Sequence, residues 1–366
     1  MKNLMKVQTL LLMLFVSSVL ILGSCKKDST PTVVPGDKTA LTALIATSDA
    51  SASAATTVDY PQTAIDAFKA TLATVKTAAA TTLTQAQIDA LVIQLKEANK
   101  TFASLKFGFI DESLYLVAGW HFDEGTGTTA TSYSSAKQVG TFSKGWTAIL
   151  GSTAVLPTWI DGVKGGKAIY LTKGAHLEVP YSPSFLPASI SISAWIKMDK
   201  IWENDAIVSQ NYWWGYKFQT QSAGKPLFTE RINATSVQDF DDGDGVVTPA
   251  VWTHVAVSLN STTKTLAFYI NGVNTHTYKE TDNVGPLTQT LSFTDVQATY
   301  TYTLVPQPFL IGSFATDAEL AAHPLNFNWI TAANVASFEG AIDELKIYNT
   351  ALTDGQVARL YSDEKP

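Results

Sequence analysis

Beyond about residue 113 the chain carries no sustained helical period until its last stretch. It breaks instead into short runs, apolar or alternating, each bounded by Gly, Asn, Asp or Pro: "LYLVAGWHF", "KAIYL", "HLEVP", "ISISAWIKM", "DAIVSQ", "YKFQT", "WTHVAVSL", "TLAFYING" and "PFLIGSF". A period of two puts alternate side chains on opposite faces of a strand, and the bounding residues supply the turns. The Asn-Gly pair in "YINGV", Tyr269 to Val273, marks a two-residue hairpin. Many short strands over roughly 250 residues describe one large antiparallel sandwich.

The segment before it has a different composition. Residues 38–107 are rich in Ala and Thr, and their apolar residues repeat at helical spacing: Leu41, Leu44 and Ile45; Ile65, Phe68, Leu72 and Val75; Ile88, Leu91, Val92, Leu95 and Phe102. Pro61 suits a helix start, and Thr84 to Gln87, "TQAQ", reads as a capping box. Three amphipathic helices of this length make a small bundle. In pattern and length the segment resembles the FIVAR-type helical modules that act as spacers in bacterial surface proteins. Its apolar stripes are expected to be core, with a ligand groove as the alternative.

The N-terminus reads as an address. Lys2 and Lys6 precede the apolar run "LLLMLFVSSVLIL", which ends at "LGSC", Leu22 to Cys25. The run is short for a membrane span. The pattern resembles the lipobox of bacterial lipoproteins, which implies a signal peptide over residues 1–24 and lipidation of Cys25, the chain's single cysteine. The alternative is a transmembrane anchor with a chance cysteine. Residues 25–37 have the Pro, Ser and Asp content of a tether. "CKKDST" resembles the signals that send some lipoproteins to the surface of the outer membrane. Loss of residues 1–24 takes two lysines and moves the net charge of −7 to −9. An acidic chain with two arginines, Arg231 and Arg359, does not suit nucleic acid.

Six segments, in order, resemble the laminin-G-like or concanavalin A-like jelly rolls of bacterial surface proteins. They are "LVAGWHFDEGTGTTATSYSS", "GVKGGKAIYLTKGAHLEVPYSPSF", "SISISAWIKM", "WTHVAVSLNSTTKTLAFYINGV", "FLIGS" and "FEGAIDELKIYNTALTDGQVARLY". The resemblance implies a mainly β fold over residues 108–366, with two antiparallel sheets face to face and the last strand beside the first. Residues 200–250 depart from the family pattern, and loops of that kind usually carry specificity.

Strict alternation along "AIDELKIY" puts Asp343 on the apolar face with Ala341, Leu345 and Ile347, and a buried carboxylate needs a cation or several donors. The resemblance implies a structural Ca2+ where the last strand meets the first, with Asp343 a ligand and Asp123 and the turn at Gly166 contributing oxygens. The alternative is a carboxylate satisfied by backbone N–H groups or a lysine. "DFDDGDGVV", Asp239 to Val247, fails as a calcium loop of the EF-hand kind, because Phe240 and Val251 fall at ligand positions. It reads as an acidic turn.

Catalysis is disfavoured. Some relatives of the fold are glucanases with a Glu-x-Asp-x-Glu pattern on one strand, which this chain lacks, and Asp343 and Glu344 face opposite ways on a regular strand. No G-x-S-x-G or H-E-x-x-H occurs, and the five histidines are scattered. His254 reads as a strand histidine with a satisfied hydrogen bond, and Trp120, Trp195 and Trp252 as core.

Trp202, Tyr212, Trp213 and Trp214 cluster in the variable region, with Asp241 and Asp242 nearby. Sugars stack their C–H faces on aromatic rings and donate hydroxyl protons to carboxylates. These six residues form the expected carbohydrate platform, with sandwich packing as the alternative. The expectation is a surface lipoprotein whose jelly roll binds a polysaccharide or glycoconjugate without catalysis. The alternatives are a glycan-active hydrolase and a protein-binding adhesion module.

Overall fold

The computed structural model describes residues 34–57, 59–201, 203–211, 215–233, 236–282, 285–287, 305–323, 328–332 and 337–366. The expected signal peptide, Cys25 and most of the tether lie outside the described residues, as do Trp202, Tyr212, Trp213 and Trp214. Contacts group the chain into two units, residues 1–54 with 68–99 and residues 55–67 with 100–366.

The N-terminal helices are α1 (Thr39–Ala54), α2 (Gln62–Ala79) and α3 (Gln85–Ser104), and the first unit takes α1 with residues 68–79 of α2 and 85–99 of α3. Leu41, Phe68, Leu72, Val75, Ile88 and Leu95 are buried, as their spacing requires. Thr84 and Gln87 make the reciprocal capping bonds that open α3. The Lys38 ammonium donates to the carbonyls of Ala79 and Thr81 at the end of α2, at 2.7 and 2.6 Å, where the orphan carbonyls of a helix end need a donor. Among the described residues no helix is long and apolar enough to cross a membrane.

The second unit is mainly β, two antiparallel sheets forming a sandwich. Sheet one runs β14 (Val273–Lys279), β13 (Thr265–Ile270), β12 (Thr253–Asn260), β7 (Ile190–Met198), β16 (Gly340–Tyr348), β5 (Lys167–Leu171), β4 (Thr158–Asp161), with β1 (Leu116–Trp120) also paired to β16. The first and last strands are therefore neighbours, Trp120 opposite Leu345. Sheet two runs β11 (Ser236–Asp241), β10 (Lys225–Asn233), β9 (Tyr216–Gln221), β8 (Asp205–Gln210), β15 (Phe309–Ile311), β6 (His176–Val179), β3 (Val139–Ser143), β2 (Thr129–Thr131). Between the sheets lie Trp120, Phe185, Phe218, Phe228, Phe268, Phe309 and the aliphatic residues of the inner faces. Each such side chain contributes about 1.5–3 kcal/mol when fully buried. Phe309 stacks on Phe185 with ring centres 4.4 Å apart.

Along β16 the inward set is Ile342, Leu345 and Ile347, which strict alternation cannot produce. Glu344 takes φ 47°, and the register with β7 shifts between the pairs Asp343–Trp195 and Lys346–Ser193. One extra residue in β16 makes a β-bulge that reverses the facing of everything before it. Asp343 is thus buried on the outer face of sheet one with Ala341, Lys346 and Tyr348, which corrects the expectation that it shares a face with Leu345 and Ile347. Trp195 is buried on that same outer face. Trp252 is not core: it precedes β12, is half-buried, and has the Lys197 ammonium 5.4 Å from its ring centre.

Helices cover part of each outer face. α4 (Asp317–Ala322) and the turn at Thr147–Leu150 place Leu320, Phe314 and Trp146 over Ala206 of sheet two. α5 (Asp354–Glu364), opened by a Thr353–Gln356 capping box, lays Val357 and Leu360 on Ala256, Ala267, Tyr269 and Tyr348 of sheet one. Tyr361 stacks on Trp195, ring centres 5.6 Å apart, and the Trp195 indole donates to Glu364 at 3.0 Å. The buried Lys346 ammonium binds Glu344 at 2.6 Å and Glu364 at 2.7 Å. Burial works to raise the Glu344 carboxyl, but the hydrogen bond from His121 and the charge of Lys346 outweigh it and hold the group at about 2. His254 is fully buried, with Nε2 2.9 Å from the Ser193 hydroxyl, and burial pushes it down to about 3.

Candidate functional site

The variable region builds one end of sheet two. Tyr216, Phe218, Phe228 and Phe240 point into the core, so their neighbours face outward. Strand pairing aligns them in two rows: Ser209, Lys217, Thr229 and Asp239, then Ala206, Gln219, Leu227 and Asp241. Ser209, Lys217, Gln219 and Thr229 are buried, Asp241 is half-buried and Asp239 exposed. The face thus runs from covered to open as it approaches the edge strand β11.

Most of its polar groups are already held in place. The Lys217 ammonium lies 5.2 Å from the Phe314 ring centre, and burial pulls it down to about 8 against the charge of Asp239. Thr229 donates to Asp239. Gln221 donates to Asp241 Oδ2 at 3.4 Å, and the Tyr278 hydroxyl donates to the Asp241 carbonyl at 2.9 Å. At the start of β8, Asp205 is fully buried. Its Oδ1 accepts from the Glu339 amide at 3.3 Å, its Oδ2 takes no hydrogen bond among the described residues, and burial raises it to about 8.

Asp242 does not belong to this surface. It is fully buried, and its carboxylate accepts from the Gly245 amide at 2.9 Å and the Thr275 hydroxyl at 2.6 Å. A Cβ at Gly245 would lie 2.0 Å from Asp242 Oδ2. The carboxylate closes the 242–245 turn against β14, so of the two expected acidic ligands only Asp241 is left at the surface. Where the four aromatic residues of the expected platform stand relative to it lies outside the described residues.

The second expected site is a corner near the β1 and β16 ends. Asp343 accepts from the Val163 amide at 2.8 Å and from the Glu344 amide at 2.9 Å, and Asp123 accepts from the Lys167 amide at 2.8 Å. Burial raises Asp343 to about 7, against its backbone bonds and helped by the charges of Glu344 and Asp123. A Cβ on Gly166 would lie 2.1 Å from Asp123 Oδ1. A Cβ on Gly162 would lie 2.6 Å from Asp343 Oδ2 and 2.8 Å from each of the Gly165 and Lys167 carbonyl oxygens. Only glycine fits either position. The two carboxylates come from opposite ends of the domain and meet the same β4–β5 turn. The donor set is oxygen throughout, which suits a hard cation such as Ca2+. Its side-chain share is two carboxylates, and no group of three or more His, Cys, Asp or Glu able to hold a metal occurs among the described residues.

Two features were missed in the sequence. The Glu344–Lys346–Glu364 network was signalled only by two opposite charges two residues apart in an apolar strand. The bulge at Glu344 left no signal, since Glu carries no preference for a positive φ.

Two stacked antiparallel sheets with adjacent first and last strands define a jelly-roll sandwich of the concanavalin A-like class. Residues 171–298 match the Laminin_G_3 family model, described as the concanavalin A-like lectin/glucanases superfamily. A search of the curated proteins finds no match. Among solved structures, the chain is similar to domain 4 of AbnA, an extracellular arabinanase of Geobacillus stearothermophilus, in complex with arabinotriose. Identity is 20%, coverage 67% of this chain and 98% of that one, and the TM-score 0.45. It is also similar to the binding domain of Paraclostridial Mosquitocidal Protein 1, at 15% identity, 69% and 53% coverage and TM-score 0.45. A third is the binding domain of Botulinum Neurotoxin DC in complex with SialylT, at 13% identity, 69% and 52% coverage and TM-score 0.43. The chain spans about half the length of the two toxin binding domains.

Proposed function

We propose that the jelly roll is a non-catalytic carbohydrate-binding module on a membrane-anchored surface lipoprotein. The observation that carries the reading is the outer face of β8–β11, where amides, hydroxyls and carboxylates stand in paired rows that open toward β11. Such a face offers donors and acceptors to sugar hydroxyls. Asp239 and Asp241 are each tied to a neighbouring side chain, which favours holding a ligand over moving a proton. The platform contributed by Trp202, Tyr212, Trp213 and Trp214 would supply stacking. The β4–β5 corner would hold one Ca2+ through Asp343, Asp123 and turn carbonyls, its charge offsetting the buried Asp343 carboxylate. Cys25 would carry the lipid at the outer membrane.

A polysaccharide pull-down and glycan array on residues 108–366, run with calcium and with chelator, tests the module. Retention of a glycan by the parent chain and at least tenfold weaker retention by Trp214→Ala is the expected result. Retention of no glycan in either condition would move the weight to protein recognition, and shortened glycan products would make the domain a hydrolase. Calcium should raise the melting temperature by several degrees, with Asp343→Asn losing that gain. An equal melting temperature in calcium and chelator would remove the metal. Cys25→Ala should move the chain from the membrane to the soluble fraction, and membrane retention of that variant would remove the lipid anchor.

A further inference from the structure

A groove of about 500 Å³ lies on the outer face of sheet one, on the opposite side of the sandwich from the β8–β11 face. That volume falls within the roughly 300–1,000 Å³ range of small-molecule sites. Its floor is β12, β13 and β14, where Ser258, Ala267 and Thr277 stand side by side, with Asn260 opposite Thr265 one step along. The alternate positions, Val257, Leu259, Leu266 and Phe268, fill the core. An open sheet face usually carries long polar side chains. Here the outward residues are short, and the floor is hollow. The wall is the chain entering α5, Ala351 to Gly355, and at Gly355 an added Cβ would meet nothing within 4 Å.

The polar groups of the groove are fixed before any ligand arrives. Asp354 Oδ1 accepts from the Tyr269 hydroxyl at 2.9 Å and from the Asn274 amide at 3.0 Å. Among the described residues its Oδ2 takes no hydrogen bond, and Asp354 is exposed. Asn260 Oδ1 accepts from the amides of Thr262 and Thr263 at 3.0 and 2.9 Å, which orients its NH2 as a donor. The groove therefore holds a positioned carboxylate acceptor and a positioned amide donor over a small apolar patch at Ala267. Hydroxyl groups, which donate and accept at once, satisfy both. No Lys, Arg or His lines the groove, so an anionic ligand would meet Asp354 without a compensating cation. A lone carboxylate is too few ligands for a metal ion.

We infer that this groove is a second binding site, separate from the β8–β11 face, for a short uncharged polyhydroxylated ligand of the neutral oligosaccharide class. The site is tested by isothermal titration of the full chain with cellotriose, maltotriose and xylotriose, with trigalacturonate as the anionic comparison. Two near-isosteric changes leave the internal bonds in place. Asp354→Asn keeps the oxygen that accepts from Tyr269 and Asn274 but replaces the free one with NH2. Asn260→Asp keeps the turn acceptor and removes the donor. Equal melting temperatures establish that both variants fold, and Thr265→Lys, which fills the groove from the half-buried end of β13, gives a third reading. The expected result is binding of at least one neutral trisaccharide in preference to trigalacturonate. Each groove variant should weaken it at least tenfold. Binding that survives all three groove changes would assign the sugar to a site outside the groove and overturn the inference. Absence of binding to all three neutral probes at millimolar concentration would overturn it as well, while leaving the β8–β11 reading to its own test with longer glycans.

Discussion

On sheet one the outward side chains Trp195, Lys346 and Tyr348 are sealed beneath α5, whereas on sheet two the outward Lys217, Thr229 and Asp239 run from cover to solvent within three strands. Outside the bulges in β16 and β8, both faces follow the same alternation. The difference lies in the next element along the chain. β16 leads within a few residues into an amphipathic helix whose Val357 and Leu360 need a surface, and the nearest is the outer face of its own sheet. β8–β11 succeed one another as a meander, and among the described residues no α-helix lies between them to fold back. A sheet face near a helix becomes a second core, and a meander keeps its polar residues for other uses.

Breaking the sealed side should have the largest effect. Lys346→Ala leaves the buried Glu364 and the half-buried Glu344 without their shared cation, so unfolding by urea should show a loss of about 3–5 kcal/mol. A loss below about 1 kcal/mol would mean that water reaches the pair and that α5 is not tightly seated.

The side of sheet two should respond to pH. Asp205 is raised by burial to about 8 in the folded chain from an ordinary value of 3.8. The folded state therefore holds a proton that the unfolded state has lost over that interval, and stability falls as pH rises from about 4 to about 8. Asp199, Glu339 and Lys200 face the group, the two acids reinforcing the shift and the lysine opposing it. His254, neutral and buried, works in the opposite sense: its stabilisation is full above about 6.5 and is lost as pH falls toward 3. Comparing the parent with Asp205→Asn isolates the acid. The variant should gain on the order of 3 kcal/mol relative to the parent between pH 4 and pH 8. Parallel pH profiles for the two chains would show the carboxylate to be solvated.

The smallest effect probes the seal at its rim. Thr353→Ala removes the hydroxyl that accepts from the Gln356 amide and should cost about 1 kcal/mol. Glycan retention at the proposed β8–β11 site should not change. A change there would mean that the two faces are coupled through the core.

Much of the architecture was legible in the sequence. Short alternating runs with Gly and Asn between them described the sandwich, and the "TQAQ" stretch stands where α3 begins. The candidate sites were legible less evenly. Asp343, Asp123 and Gly166 do converge on one turn. Asp242, chosen for its nearness to the aromatic cluster, proved to be a turn-closing carboxylate. Composition cannot tell a carboxylate aimed at solvent from one folded back on its own backbone.

What the sequence determined by itself was local: the period of two that makes strands, the caps that open helices, the glycines that only a turn needs. These depend on neighbours along the chain, a few residues apart. What only the tertiary structure decided was which side of each strand became interior, because one bulged residue at Glu344 reversed the facing of β16. It likewise decided that Lys346 would meet Glu364 and that Asp354 and Asn260 would face one groove. Those outcomes depend on elements far apart in the chain packing against one another, and the alternation of a single strand carries no record of what will cover it.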